Sequence, residues 1–191
     1  MPIIQETTIT TLDGSIHYQQ AGEGPTLLLI HGMGSSCANW KQNLEHLAQE
    51  FKVYAPCILG LGDSGRPIRE YCFEEYSEAM FNFMDSIDLQ STLIIGHSLG
   101  AMLAVQMAAS CPERVVGVVL EGCPAWTDQY REQFPIDMAS LAYEDGSPKP
   151  YSLEELKPLY YQPTEEILAE FNKDRLKPGS WSMAWIRALS A

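Results

Sequence analysis

Thr92-Leu93-Ile94-Ile95-Gly96-His97-Ser98-Leu99-Gly100-Ala101 is the stretch on which the reading of this chain turns. Thr92 to Ile95 is a β-prone run without alternation, which suits a strand buried on both faces, as in parallel sheets. Gly96-His97-Ser98-Leu99-Gly100 then has G-x-S-x-G spacing, and Leu99 to Ala109 reads as a small-residue helix ending before Pro112. A strand that passes straight into a helix needs a tight turn. Ser98 would sit at that turn in a strained backbone conformation, and side chains at Gly96 or Gly100 would collide with neighbouring backbone. The Ser98 hydroxyl is then presented at a helix N-terminus, where the dipole and the free Leu99 amide favour developing negative charge. Ser98 is the candidate nucleophile.

Upstream, Ile3 to Thr11 and Ser15 to Gln19 are β-prone runs around Asp13-Gly14, the pattern of a hairpin. Thr26 to Ile30 is another continuous apolar run. Trp40, Leu44 and Leu47 recur at helical spacing between Ala38 and Gln49, and Val53 to Ala55 is a short strand. Glu74 to Ile87 places Tyr76, Met80, Phe83, Met84 and Ile87 on one helical face. Downstream, Val115 to Leu120 reads as a further buried strand. This alternation predicts an α/β fold: a mostly parallel, doubly wound sheet with an N-terminal hairpin. Beyond Pro124 the character changes. Prolines divide helical segments, among them one opened by the Ser152–Glu155 capping box and others over Glu165–Lys173 and Trp181–Leu189. The predicted division is residues 1–124 as the sheet-bearing core and 125–191 as a helical cap or lid.

With these elements in place, the chain resembles the serine-nucleophile branch of the α/β-hydrolase superfamily over roughly Ile3 to Pro124. His31-Gly32-Met33-Gly34 follows the third strand, where that family places its oxyanion loop. The resemblance implies that the backbone amides of Met33 and Leu99 form the oxyanion hole, with Gly32, Gly96, His97 and Gly100 in support. It also implies that His31 belongs to the loop scaffold. Cys57-Ile58-Leu59-Gly60-Leu61-Gly62-Asp63-Ser64-Gly65 matches the loop after the fourth strand, with Cys57 in place of the usual Asp and Leu61 in place of the usual His. That departure is expected to disturb hydrogen bonding within the loop. His97 adjoins Ser98, but neighbouring residues in such a turn point apart, so packing is its expected role. His17 and His46 read as structural, and Asp63 and Ser64 as loop residues near the mouth of the site.

A serine becomes nucleophilic at neutral pH only beside a base. In this family the chain order is Ser, then Asp or Glu, then His, and no histidine follows His97 in this sequence. Glu121, at the end of the sixth strand, occupies a position where some relatives keep their acid; a hinge or loop role is the competing reading. The expectation is therefore a C-terminally truncated form that lacks the last strands of the family fold. Val115 to Leu120 would then be an exposed apolar edge, open to a homodimer or to a complementing chain. The implied chemistry is acyl transfer from a carboxylic ester or similar small acyl substrate through an acyl-enzyme. Serine at the turn argues against the dehalogenases and epoxide hydrolases of the same fold, which use Asp there. The alternatives are a non-catalytic binding protein, or a fragment whose catalytic histidine comes from a partner. Trp126, Tyr130, Tyr160, Tyr161, Trp181 and Trp185 suggest an apolar pocket in the cap, although core packing explains most of them equally well.

Composition limits the other classes. A formal charge of −13 with no basic stripe argues against nucleic-acid partners. The five cysteines form no close-spaced pair, so neither a zinc site nor another metal or cofactor is expected. Neither a signal sequence nor a membrane span is legible, and the expected location is the cytoplasm.

Overall fold

The computed structural model describes residues 2–124 and 138–190. Its centre is a six-stranded sheet in the order β1-β2-β4-β3-β5-β6. The strands are β1 (Gln5–Thr11), β2 (Gly14–Ala21), β3 (Thr26–Ile30), β4 (Lys52–Pro56), β5 (Thr92–His97) and β6 (Val115–Glu121). β1 and β2 form the expected antiparallel hairpin, with Thr11 opposite Gly14 at its closed end. β2 also runs antiparallel to β4. β3 runs parallel to β4 and to β5, and β5 runs parallel to β6, as unalternating apolar runs require.

Alternate residues of β3 show why the sheet needs cover on both faces. Leu28 and Ile30 point into one core with Tyr76, Met80 and Phe83 of α2 (Phe73–Ser86) and Leu103 of α3 (Leu99–Ser110). Leu27 and Leu29 point the opposite way, towards Trp40 and towards Leu44 of α1 (Lys41–Leu47). Burying each such side chain contributes about 1.5–3 kcal/mol, so the two apolar faces fix the strand register. The stretch read as one helix from Ala38 is a 3-10 turn, Cys37–Trp40, that leads into α1.

β6 corrects one expectation. Its apolar run reads as a buried strand, yet Val116 is 69% and Val119 56% exposed. The reason is position: among the described residues β6 is the outermost strand and pairs only with β5. The apolar edge expected from the sequence is present.

Past residue 137 the described elements are helical: α4 (Met138–Leu141), α5 (Leu153–Leu156), α6 (Glu165–Leu176), a 3-10 turn at Gly179–Met183, and α7 (Ala184–Ser190). The Ser152–Glu155 capping box forms, and the Thr164 hydroxyl accepts from the Ile167 amide at 3.3 Å. This segment folds back over the sheet. Ser36 donates to Asp174, Lys177 pairs with Asp63, and the Tyr160 hydroxyl donates to Asn39 Oδ1 at 3.0 Å. Trp185 of α7 is fully buried in the main core and stacks on Tyr76 at 4.5 Å. No helix among the described residues is long and apolar enough to cross a membrane.

Candidate active site

Ser98 stands between the last residue of β5 and the first residue of α3, at φ 54° and ψ −119°. A residue with a side chain rarely adopts this backbone, which costs about 1–3 kcal/mol. Contacts on each side hold it there. The Ser98 amide donates to the Glu121 carbonyl of β6 at 2.8 Å, and the Ser98 carbonyl accepts from the Ala101 amide at 3.0 Å. A Cβ on Gly96 would lie 2.3 Å from the Gly100 carbonyl oxygen, and one on Gly100 would lie 2.3 Å from the Ile30 carbonyl oxygen. The two glycines therefore let α3 descend onto the ends of β3 and β5. Ser98→Gly should release the strain while adding unfolded-state entropy, for a net gain of about 1 kcal/mol. By thermal melting that is a rise of about 2–4 °C; an unchanged or lower melting temperature would show the turn to be unstrained.

The loop after β3 lies against this turn. A Cβ on Gly32 would fall 3.1 Å from both Ser98 Cβ and His97 Cδ2, so the backbone of Gly32 touches the serine directly. Met33 comes next. Leu99 occupies the first position of α3, where an amide has no intrahelical acceptor. Neither the Met33 nor the Leu99 amide donates to another backbone carbonyl among the described residues.

His31 is fully buried and holds the base of the loop. Its Nε2 accepts from the Ile58 amide at 3.1 Å, which places the ring proton on Nδ1, 2.9 Å from the Gly32 carbonyl. Burial lowers its pKa to about 4, outweighing the opposing hydrogen bond to Gly32, so the ring is neutral at pH 7. Both nitrogens are occupied. His31 is a scaffold residue.

His97 is directed at Glu121. Its Nδ1 is shielded from solvent and lies 3.4 Å from Glu121 Oε2, without a well-aligned hydrogen bond. Glu121 is thus brought beside the turn twice, by its carbonyl and by its carboxylate. His17 lies in β2 and His46 on the outer face of α1.

The loop after β4 corrects a second expectation. Cys57 does not leave the loop without hydrogen bonds. Its sulfur accepts from the Cys37 amide at 3.2 Å, and its carbonyl accepts from Ser64 Oγ at 2.6 Å. Ser64 Oγ also accepts from the His17 amide at 3.0 Å, and Leu61 fills core space. Asp63 is paired with Lys177, whose ammonium holds the carboxyl below its ordinary pKa.

Sequence reasoning missed Arg175. It lies in the last turn of α6, two residues beyond the helical segment read from the sequence, and is 99% buried by tertiary packing. Its Nε donates to the Lys149 carbonyl at 2.7 Å and Nη2 to the Leu141 carbonyl at 3.0 Å, while the guanidinium lies 4.5 Å from the Tyr151 ring centre. A Cβ on Gly34 would meet Nη1 at 2.9 Å, so this side chain joins the helical segment to the loop that carries Met33. Lys173-Asp174-Arg175 offers no sequence signal for that burial.

The aromatic residues divide. Trp185 is core, Trp181 packs against Gly60, Tyr160 bonds Asn39 and Tyr161 is exposed. Trp126 and Tyr130 lie outside the described residues. A crevice of about 340 Å³ opens between the start of α1 and α6, lined by Ser35, Asn39, Tyr160, Phe171 and Asp174; Ser98 does not line it. Among the described residues no His, Cys, Asp or Glu cluster is placed to hold a metal ion.

Residues 25–164 match the family described as alpha/beta hydrolase fold. An uncharacterized protein of Mycobacterium tuberculosis is 38% identical over 103 residues, covering 54% of this chain and 30% of that protein. A haloalkane dehalogenase of Mesorhizobium japonicum is 33% identical over 115 residues, covering 60% of this chain and 37% of the enzyme. The chain therefore spans about a third of the length of the curated relatives it matches. Among solved structures, a mutant of the N-acyl homoserine lactonase AidH complexed with N-hexanoyl homoserine superposes with a TM-score of 0.75. That match is 26% identical over 96% of this chain and 68% of AidH.

Proposed function

This chain belongs to the alpha/beta hydrolase fold family, and we propose that it bears the nucleophile and oxyanion hole of a serine hydrolase acting on a carboxylic ester or similar small acyl substrate. The observation that carries this reading is the backbone of Ser98, held at φ 54° at the start of α3. Strain of that kind persists only where the surroundings enforce it, and here it presents a hydroxyl at a helix N-terminus.

In the proposed reaction Ser98 Oγ attacks the carbonyl carbon of the substrate. The carbonyl oxygen gains charge and accepts hydrogen bonds from the Met33 and Leu99 amides. Collapse of the tetrahedral species expels the alcohol and leaves an acyl-serine, which water hydrolyses. A dehalogenase or epoxide hydrolase reading is weaker, because a hydroxyl stands at the turn. The similarity to a homoserine lactonase makes a lactone, an internal ester, a reasonable member of the substrate class.

The proton from Ser98 needs an acceptor, and the four histidines of this sequence do not supply one. His31 is neutral with both nitrogens used, His97 turns towards Glu121, and His17 and His46 lie on other elements. The proposal therefore assigns the base to a residue outside these 191, reaching the site beside β6, from a complementing chain or a longer form of this one. The same histidine inventory favours a second reading, a non-catalytic binding protein that keeps the pocket without the relay.

Hydrolysis of p-nitrophenyl acetate and of a short acyl-homoserine lactone, compared with Ser98→Ala, separates the two. A Ser98-dependent rate, however slow, supports the hydrolase. Equal rates for both proteins would leave the binding-protein reading.

A further inference from the structure

Cys37 and Cys57 come from segments 20 residues apart in sequence, yet their sulfurs lie 2.9 Å from each other, closer than the contact distance of two unbonded sulfurs. Both side chains are buried, Cys57 completely. Cys37 opens the 3-10 turn that follows the Met33 loop, and Cys57 follows the last residue of β4. Disulfide formation needs the sulfurs to approach about 2.04 Å, a movement of less than 1 Å. The other cysteines are not paired in this way: Cys72 is exposed, and Cys111 and Cys123 are partly so.

We propose that Cys37 and Cys57 are a redox modification site, closed to a disulfide by a peroxide and reopened by a thiol reductant. The geometry orders the two steps. The Cys57 sulfur lies in hydrogen-bond contact with the Cys37 sulfur and accepts from the Cys37 amide at 3.2 Å, and this contact with Cys37 lowers its pKa towards the thiolate. Cys37, whose pKa is raised by the contact with Cys57 and by burial, keeps its proton. Cys57 thiolate attacks one oxygen of hydrogen peroxide, the O–O bond breaks, and a sulfenic acid and hydroxide result. The Cys37 sulfur then attacks the Cys57 sulfur, the S–O bond breaks, and the Cys37 proton leaves with the departing hydroxide as water. In total two thiols and one peroxide become one disulfide and two waters.

The segment from Gly60 to Gly65 covers the pair. Cys57 Sγ lies directly beneath Gly62, where a Cβ would fall only 2.6 Å from the sulfur. The cross-link would tie the segment after the Met33 loop to the strand end whose next residue, Ile58, already bonds His31. Its formation does not depend on Ser98 chemistry, so the outcome is independent of the proposed function.

The test uses the full chain. Exposed thiols are first blocked with iodoacetamide under native conditions. The protein is then treated with hydrogen peroxide, denatured, labelled with N-ethylmaleimide and mapped by mass spectrometry. The expected result is a peptide joining Cys37 to Cys57, lighter by two hydrogens, lost on dithiothreitol treatment and absent from Cys37→Ala and Cys57→Ser. The oxidised chain should also melt several degrees higher, because a loop of this length is closed. Complete maleimide labelling of both cysteines, at a peroxide dose that oxidises Cys72 in unblocked protein, would overturn the proposal. Accumulation of sulfinic acid on Cys57 without the cross-link would overturn it as well.

Discussion

Gly100→Ala should destabilise the protein by at least about 3 kcal/mol, the upper end of what overpacking normally costs. The added methyl would sit 2.3 Å from the Ile30 carbonyl oxygen and 2.5 Å from that of His31. Both obstacles are backbone, and both belong to β3 and the loop that follows it, so no rotamer change relieves the clash. α3 would have to lift from the sheet and carry Ser98 with it. Against a typical total stability of 5–15 kcal/mol, this loss lowers the melting temperature by about 6–12 °C or prevents folding. Gly117→Ala is the matched control. A Cβ there meets only the flexible end of Leu93, at 3.1 Å, so denaturant unfolding should show little change. Comparable losses at both positions would show that the close approach at Gly100 is not what the fold requires.

The second large effect concerns acid. The His31 pKa is lowered on folding from about 6.5 to about 4 by burial. Between those values the unfolded chain binds a proton that the folded chain refuses, so stability falls as the pH falls. His31 contributes fully above pH 6.5, and its contribution is lost progressively towards pH 4. Integrated from pH 7 to pH 5, the linkage amounts to about 2 kcal/mol. Carboxylates held below their usual range, such as Asp63, begin to matter only nearer pH 4, where their unfolded counterparts protonate. Urea unfolding at pH 7 and pH 5 should therefore show a steep decline, and His31→Gln should flatten it. Glutamine can still accept from the Ile58 amide but does not titrate. The same slope in both proteins would mean that His31 is solvated and not a neutral buried scaffold.

The parts of this fold that were legible are those whose cause is local. The turn at Ser98 could be read because Gly96 and Gly100 stand at fixed short spacings from it. β3 and β5 could be read because a parallel strand covered on both faces cannot alternate. The loop around Met33 was visible only through family resemblance, since nothing in His31-Gly32-Met33-Gly34 alone specifies an amide facing a substrate. What escaped depends on distant packing. Arg175 has the sequence surroundings of a solvated residue, and only the fold places it against Gly34. For Trp185 a cap pocket and core packing are equally open from the sequence, and the fold decides for the core, where α7 sets it on Tyr76. Cys57 was expected to weaken its loop because a carboxylate was missing there. The sulfur instead accepts a backbone hydrogen bond and finds a second sulfur, a pairing that two cysteines so far apart in sequence do not announce.

The central claim is that the residue strained at the end of β5 is a nucleophile. Reaction of the intact chain with a fluorophosphonate, followed by peptide mapping, tests this most directly, since the probe needs an aligned serine and an oxyanion hole more than a complete relay. A single phosphonyl adduct on Ser98, absent from Ser98→Ala and reduced on unfolding, is the predicted result. No adduct on the folded protein, or one of equal yield on other hydroxyls, would contradict the account.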